Sequence, residues 1–156
     1  MGQIVTLEDL DRLVADARAA RRTVALANGV FDLLHVGHVR YLEAASREAD
    51  CLIVAVNDDQ AVRALKGNGR PIMAQADRAE LVAALRAVDY VVIFSGRTVA
   101  DLLLRYKPDV HCKGTDYTVD TVPERPTVLS YGGRTAIVGD PKDHSTRDLL
   151  SRMSPH

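Results

Sequence analysis

Apolar runs alternate with stretches of helical period along the whole chain. Residues 23–27, TVALA, are β-branched and apolar on both faces, as a central parallel strand must be when helices cover both sides of its sheet. CLIVAVN at 51–57, DYVVIF at 89–94, DVHCKG at 109–114 and RTAIVG at 134–139 read as further strands. Between them the period lengthens. Thr6 followed by Glu8 and Asp9 looks like a helix start, with Leu7, Leu10, Leu13, Val14 and Ala17 as an apolar stripe to about Arg21. Val39, Leu42 and Ala45 recur at helical spacing among Arg40, Glu43 and Arg47, so a second helix opens just after the first long strand. Asp77 reads as the cap of a helix through Leu81, Ala84, Leu85 and Val88. TVADLLLRYK is a helix that stops before Pro108, and Ser145 and Thr146 open a last one through Leu149, Leu150 and Met153. Residues 118–131, with Pro123 and Pro126, read as irregular, a lid or a connection.

This alternation predicts a single Rossmann-like α/β domain over residues 1–156, a doubly wound parallel sheet of about five strands. A length of 156 residues suits one domain and buries an ordinary core without staples. The net charge of −1 leaves no global basic footprint, which counts against a nucleic-acid partner. No apolar run reaches membrane-spanning length, and MGQIVTLEDLDRL carries acids where a secretion signal wants lysine or arginine. Cys51 and Cys112 sit apart inside apolar runs and read as buried reduced thiols, so the expected setting is the cytoplasm.

The candidate chemistry lies where the first long strand turns into its helix, at Asn28-Gly29-Val30-Phe31-Asp32 and His35-Val36-Gly37-His38. Backbone N–H groups are unpaired at such a junction and the helix dipole presents its positive end, so it suits phosphate. His35 and His38 fall on the same side of the first turn and would converge on one anion, while Gly29 and Gly37 let a ligand lie against the backbone. The plainer reading has one histidine capping the helix and the other packing. A zinc site would need a third histidine or cysteine, and none lies nearby in sequence. Asp32 holds the turn rather than binding metal. Asn57, Asp58 and Asp59 end the second strand and should face the same crevice. Lys66, before Gly67-Asn68-Gly69-Arg70-Pro71, reads as a phosphate-binding lysine on a glycine-hinged loop. Arg70 reads equally as a phosphate contact or a surface cation, and Arg78 as a phosphate contact at a helix start or an exposed arginine paired with a carboxylate. His111, inside its strand, is a core or edge histidine. Ser145 and Thr146 offer hydroxyls and free N–H groups at a helix N-terminus.

GVFDLLHVGH resembles the signature of the HxGH nucleotidyltransferases, which move a nucleotidyl group from a nucleoside triphosphate to a phosphate-bearing acceptor and release pyrophosphate. Within that superfamily the chain resembles the stand-alone D-glycero-β-D-manno-heptose 1-phosphate adenylyltransferases. The stretches HVRYLEAA, VNDDQAVRALKGNGRPI, DRAELVAALRAVDYVV, KPDVHCKGTDYT, SYGGR and HST carry the likeness over almost all of residues 3–152. The resemblance implies transfer of AMP from ATP to a sugar 1-phosphate, with Mg2+ on the phosphates and no metal held directly by the protein. It implies catalytic roles for His35, His38, Lys66 and Thr146. Nucleotide contacts fall on Gly29, Val30, Phe31, Gly37, Arg78, Gly114, Asp116, Ser145 and Thr146, and acceptor contacts on Asp32, Asn57, Asp58, Arg70, Lys113, Tyr117 and Arg147. A homo-oligomer, a dimer, is implied by the stretch around Arg86 and Asp89. Arg147 stands where the resembled enzymes usually have Thr, and Val30 where they usually have Cys. The alternatives are a cytidylyltransferase acting on glycerol 3-phosphate or a similar alcohol phosphate, and a non-catalytic nucleotide-sensing module.

Overall fold

The strands run parallel because each is followed by a crossover helix, and the central runs at residues 24–27 and 51–57 are buried on both faces. The computed structural model of the protein describes residues 2–96, 98–141 and 146–153, the last helix's residues 146–148 by backbone alone. The strands are β1 (Gln3–Ile4), β2 (Val24–Gly29), β3 (Cys51–Asn57), β4 (Tyr90–Phe94), β5 (Val110–Lys113) and β6 (Arg134–Ile137). The helices are α1 (Leu7–Ala19), α2 (Val36–Ser46), α3 (Asp59–Lys66), α4 (Gln75–Ala83), α5 (Ala100–Tyr106), α6 (Arg125–Ser130) and α7 (Thr146–Met153). The sheet order is β1-β4-β3-β2-β5-β6, all pairs parallel.

One face of the sheet carries Ala25, Ala27, Val54, Val56 and Cys112 against Leu42 and Ala45 of α2 and Ala79 and Val82 of α4. The other carries Val24, Leu26, Ile53 and Ala55 against Leu10 and Val14 of α1, Leu103 and Tyr106 of α5 and Val128 of α6. Neighbouring residues of each strand therefore serve opposite layers. Cys51 and Cys112 are buried free thiols, both pushed up by burial, to about 11 and about 12.

From β2 the chain steps outward through β3 to β4 and then returns to place β5 on the other side of β2. The turn after β2 and the loop after β5 thus meet at the topological switch point, on the carboxyl edge, where ligands of open α/β sheets bind.

The structure corrects several expectations. The sheet has six strands rather than about five, because Gln3–Ile4 pairs with Tyr90–Val91 at the edge. As expected, α2 opens at the strand-to-helix junction, beginning at Val36 with Gly37 and His38 in its first turn; other boundaries differ. Helix α4 begins at Gln75 after Ala74; Asp77 sits in its first turn, where its charge meets the helix dipole, rather than at the cap. Lys66 is the last residue of α3 rather than part of the loop, which starts at Gly67 with φ 88°. Residues 118–131 are not irregular: Val119–Thr121 form a 3-10 turn and α6 follows, with Pro126 in its first turn where no N–H is needed.

Gly133 packs where α6 turns into β6, and a Cβ there would meet the Tyr131 ring at 2.7 Å and both Pro108 O and Val128 Cγ1 at 3.0 Å. Backbone and core cannot give way cheaply, so Gly133→Ala should destabilise the fold by about 1–3 kcal/mol. A thermal melt or urea titration that shows no loss would mean the α6–β6 junction is looser than this packing.

Candidate active site

The turn after β2 is shaped by Phe31, which adopts a left-handed φ of 52° although it is not glycine. Its ring lies over Gly29, where a Cβ would meet it at 3.1 Å, and edge-on to His38 with centroids 5.4 Å apart. The space on that side of Gly29, expected to admit a ligand, is filled by this ring. Phe31 is buried, so its contribution to the turn is packing.

His35 is the N-cap of α2, and its Nδ1 accepts from the N–H of Gly37 at 3.1 Å. His38, at the third helical position, accepts through Nδ1 from the N–H of His35 at 3.2 Å. The two rings stack at 3.9 Å. A nitrogen that accepts carries no proton, so each neutral ring holds its proton on Nε2. Burial, and then the neighbouring His35, pushes His38 down to about 4. Both rings therefore cap the start of α2 through Nδ1, rather than one capping and the other only packing, and His35 Nε2 is itself buried.

The side chains around this turn are tied down. Asp32 is buried and accepts from the N–H groups of Ile72 and Met73 and from Arg70 Nε, all at 2.8–2.9 Å. Burial alone would raise its carboxyl; those donors outweigh it and hold the pKa below the ordinary value. Arg78 is not an exposed arginine. It is fully buried, donating through Nε to Met73 O, through Nη1 to Val30 O and Asn57 O, and through Nη2 to Asp59 Oδ1. Helix position alone hid this, because an arginine in a first turn reads as surface. Asn57 is buried, and Asp58 caps α3 by accepting from Ala61 N and also accepts from Ser95 Oγ.

At the end of β5, half-buried Lys113 lies over the Tyr117 ring, Nζ 4.8 Å from its centroid. Burial lowers its pKa against the opposing pull of Glu124 and Asp116. Gly114 is half-buried and Asp116 exposed. Tyr41 of α2 donates to Cys112 O at 2.6 Å, tying α2 to the end of β5, and His111 Nε2 lies 2.8 Å from Asn28 Oδ1, joining the ends of β5 and β2. His111 is a fully buried core histidine, pushed down to about 3 by burial and then by Lys113. Lys66 is exposed at the end of α3. Beside the turn, a shallow cavity of about 370 Å³ is bordered by Asp59, Arg63, Gly69, Arg70, Pro71 and Ala74. Arg63, which sequence reading passed over, sits on α3 about one turn before its end. Ser145 lies outside the described residues, as do the side chains of Thr146 and Arg147. Among the described residues no group of three or more His, Cys, Asp or Glu is placed to hold a metal ion, and no helix is long and apolar enough to cross a membrane.

Comparison with known proteins follows this geometry. The model of the family described as cytidylyltransferase-like matches residues 26–149. The chain is similar to the bifunctional protein HldE of Pseudomonas fluorescens strain SBW25, 44% identical over 150 residues, which are 96% of this chain and 32% of that protein. It is 41% identical to the bifunctional protein HldE of Syntrophotalea carbinolica over 146 residues, 94% of this chain and 30% of that one. The chain thus spans about a third of the length of these relatives. Among solved structures, it is similar to a lipopolysaccharide core biosynthesis protein from Thermoplasma volcanium, with a TM-score of 0.62 and 28% identity, covering 75% of this chain and 94% of that one.

The two depressed histidines set a pH dependence. Unfolded, each takes up a proton near its ordinary 6.5; folded, His38 resists to about 4 and His111 to about 3. The unfolded chain binds more protons between those values, so stability is complete above pH 6.5 and falls on acidification. Denaturant titrations should show a loss on the order of 2–4 kcal/mol between pH 7 and pH 5, about half from each histidine. His111→Leu should remove part of that slope; an unchanged slope would place the proton uptake elsewhere.

Proposed function

The chain belongs to the cytidylyltransferase-like family of nucleotidyltransferases, and from that premise we propose that it transfers AMP from ATP to a sugar 1-phosphate, giving a nucleoside diphosphate sugar and pyrophosphate. The acceptor in this reading is D-glycero-D-manno-heptose 1-phosphate and the product ADP-heptose. What carries the proposal is the histidine pair: two rings locked through Nδ1 at the start of α2, each with its proton on Nε2, at the carboxyl edge of a parallel sheet. The choice of heptose rests on the sequence resemblance. It agrees with bifunctional relatives matched over one part of their length and with a structural neighbour named for lipopolysaccharide core biosynthesis.

In the proposed step an oxygen of the sugar phosphate attacks the α-phosphorus of ATP. The new P–O bond forms as the bond from that phosphorus to the bridging oxygen breaks, and pyrophosphate leaves with the electron pair. No protein nucleophile or base is required, since the acceptor is already an anion. The protein's part is in-line positioning and donation of hydrogen bonds to charge growing on the transferred group and the leaving oxygen. His35 and His38 supply Nε2–H, α2 its N-terminal dipole, and Lys66 a cation at the end of α3. Gly114, Asp116 and the N-terminus of α7 with Ser145 and Thr146 border the nucleotide in this reading, and Lys113, Tyr117, Arg70 and Arg147 the acceptor. In this reading Mg2+ would accompany ATP and screen its phosphates. A cytoplasmic setting and a homodimer belong to the same proposal.

A matrix of nucleotides against acceptors, read by pyrophosphate release, tests the substrates. ATP with a heptose 1-phosphate should far outpace CTP with glycerol 3-phosphate; the reverse ranking would move the assignment to alcohol-phosphate cytidylyl transfer, and no release with any pair would leave a sensing module.

The role of the histidines needs a variant that spares the cap. Asn accepts from the helix N–H as His35 Nδ1 does but has no Nε2–H, so His35→Asn should melt near the parent while kcat falls about a hundred- to a thousandfold at little changed ATP affinity. Lys66→Ala should damage both kcat and KM for ATP. Near-normal turnover in His35→Asn would make the imidazole a cap alone.

A further inference from the structure

The β2–β3 ladder runs from Val24↔Cys51 to Gly29↔Val56, and just beyond its last rung the carbonyls of Val30 and Asn57 stand where the two strands part to open the crevice. Both are met by one atom: Arg78 Nη1 donates to Val30 O at 2.7 Å and to Asn57 O at 2.8 Å. The same guanidinium reaches a third segment through Nε to Met73 O at 3.0 Å, and the start of α3 through Nη2 to Asp59 at 2.8 Å. Met73 is held from its other side as well, its N–H donating to Asp32. A planar fork with five donors suits such a junction, and a lysine has no geometry to replace it.

We infer that Arg78 is a positioning residue for the histidine pair, acting through the Val30–Phe31 peptide rather than by touching nucleotide. Fixing the Val30 carbonyl fixes the peptide plane that precedes Phe31, and with it the left-handed φ of 52° that a phenylalanine does not adopt unaided. That φ puts the Phe31 ring between Gly29 and His38, and His38 in turn stacks on His35. Burial separates this role from ligand binding: Arg78 is 0% exposed and four of its N–H bonds go to protein oxygens, its charge balanced by Asp59. The consequence for turnover rests on the proposed reaction; the consequence for ring geometry does not.

The test compares Arg78→Lys and Asp59→Asn with the parent, first without substrates. Nuclear Overhauser effects between the Phe31 and His38 rings, and the His38 Cε1–H resonance, report the ring geometry; a thermal melt reports folding; pyrophosphate kinetics report kcat and KM for ATP. Arg78→Lys should weaken the ring–ring effects, shift the His38 signal and lower kcat by roughly tenfold to a hundredfold, with KM for ATP within threefold. Asp59→Asn, which removes one partner at a carboxylate 32% exposed, should move the same signals less and in the same direction. This second variant decides the matter if Arg78→Lys does not fold. Parent ring signals in a folded Arg78→Lys, or in Asp59→Asn should that variant have to decide, would overturn the inference. So would a tenfold rise in KM for ATP at unchanged kcat, since that outcome makes the guanidinium a nucleotide contact. If the parent itself releases no pyrophosphate, the reaction falls while the ring signals still decide what Arg78 does.

Discussion

Backbone polar groups at the carboxyl edge of a doubly buried parallel sheet have nowhere to bond once the strands diverge, and the whole of this site is built from the side chains that meet them. Each buried donor or acceptor left unmet costs about 1–3 kcal/mol. Asp32 takes the N–H groups of Ile72 and Met73, Arg78 takes the carbonyls of Val30, Asn57 and Met73, and Asp58 takes the first turn of α3. His35 and His38 do the same for α2. An open crevice is compatible with a stable sheet only because these groups are spoken for, and the groups that serve stability are therefore the ones that define the crevice.

The histidines show how one side chain serves both ends. An imidazole has two nitrogens facing opposite ways, so Nδ1 can hold the helix N-terminus and, on the proposed reaction, leave Nε2–H for the phosphates. An aspartate cap would satisfy the helix equally and leave no donor. Holding His38 neutral, at about 4, matters for the proposed chemistry. A neutral donor attracts the ground-state triphosphate less than an imidazolium would, and its bond strengthens as charge collects on the leaving oxygen, so more of its effect falls on the transition state.

What the sequence disclosed follows from range. Strands β2 to β6 were legible because their apolar runs are long enough to show; Gln3–Ile4 was not, since two residues carry no period and pair only through a partner near residue 90. Helix α6 was hidden by its prolines, which read as loop although Pro126 sits in a first turn. Within the site, the histidine turn was legible because everything it needs lies within a few residues. The bonds that fix its shape were not: Asp32 to Ile72 and Met73, and Arg78 to Val30, join segments about forty residues apart, and no local pattern marks an arginine as buried.

That hidden layer changes where an acceptor would be read. Asp32 and Asp58, to which the resemblance assigns acceptor contacts, already spend their oxygens on backbone N–H groups, Arg70 and Ser95. Turning either toward a ligand would orphan buried N–H groups, so on the proposed reaction the acceptor is better met by groups that can donate without such loss. Arg63 and Arg70 border the cavity on one side of the histidine turn, and Lys113 with Tyr117 ends the strand on the other. A sugar phosphate brings a dianion and a set of hydroxyls, and cations flanking a turn of neutral donors would hold that dianion while leaving the α-phosphorus to the histidines. Lys113 is the more consequential of these cations: burial already lowers its pKa, so an arriving phosphate would favour its charged form and gain more from it than from a fully solvated lysine.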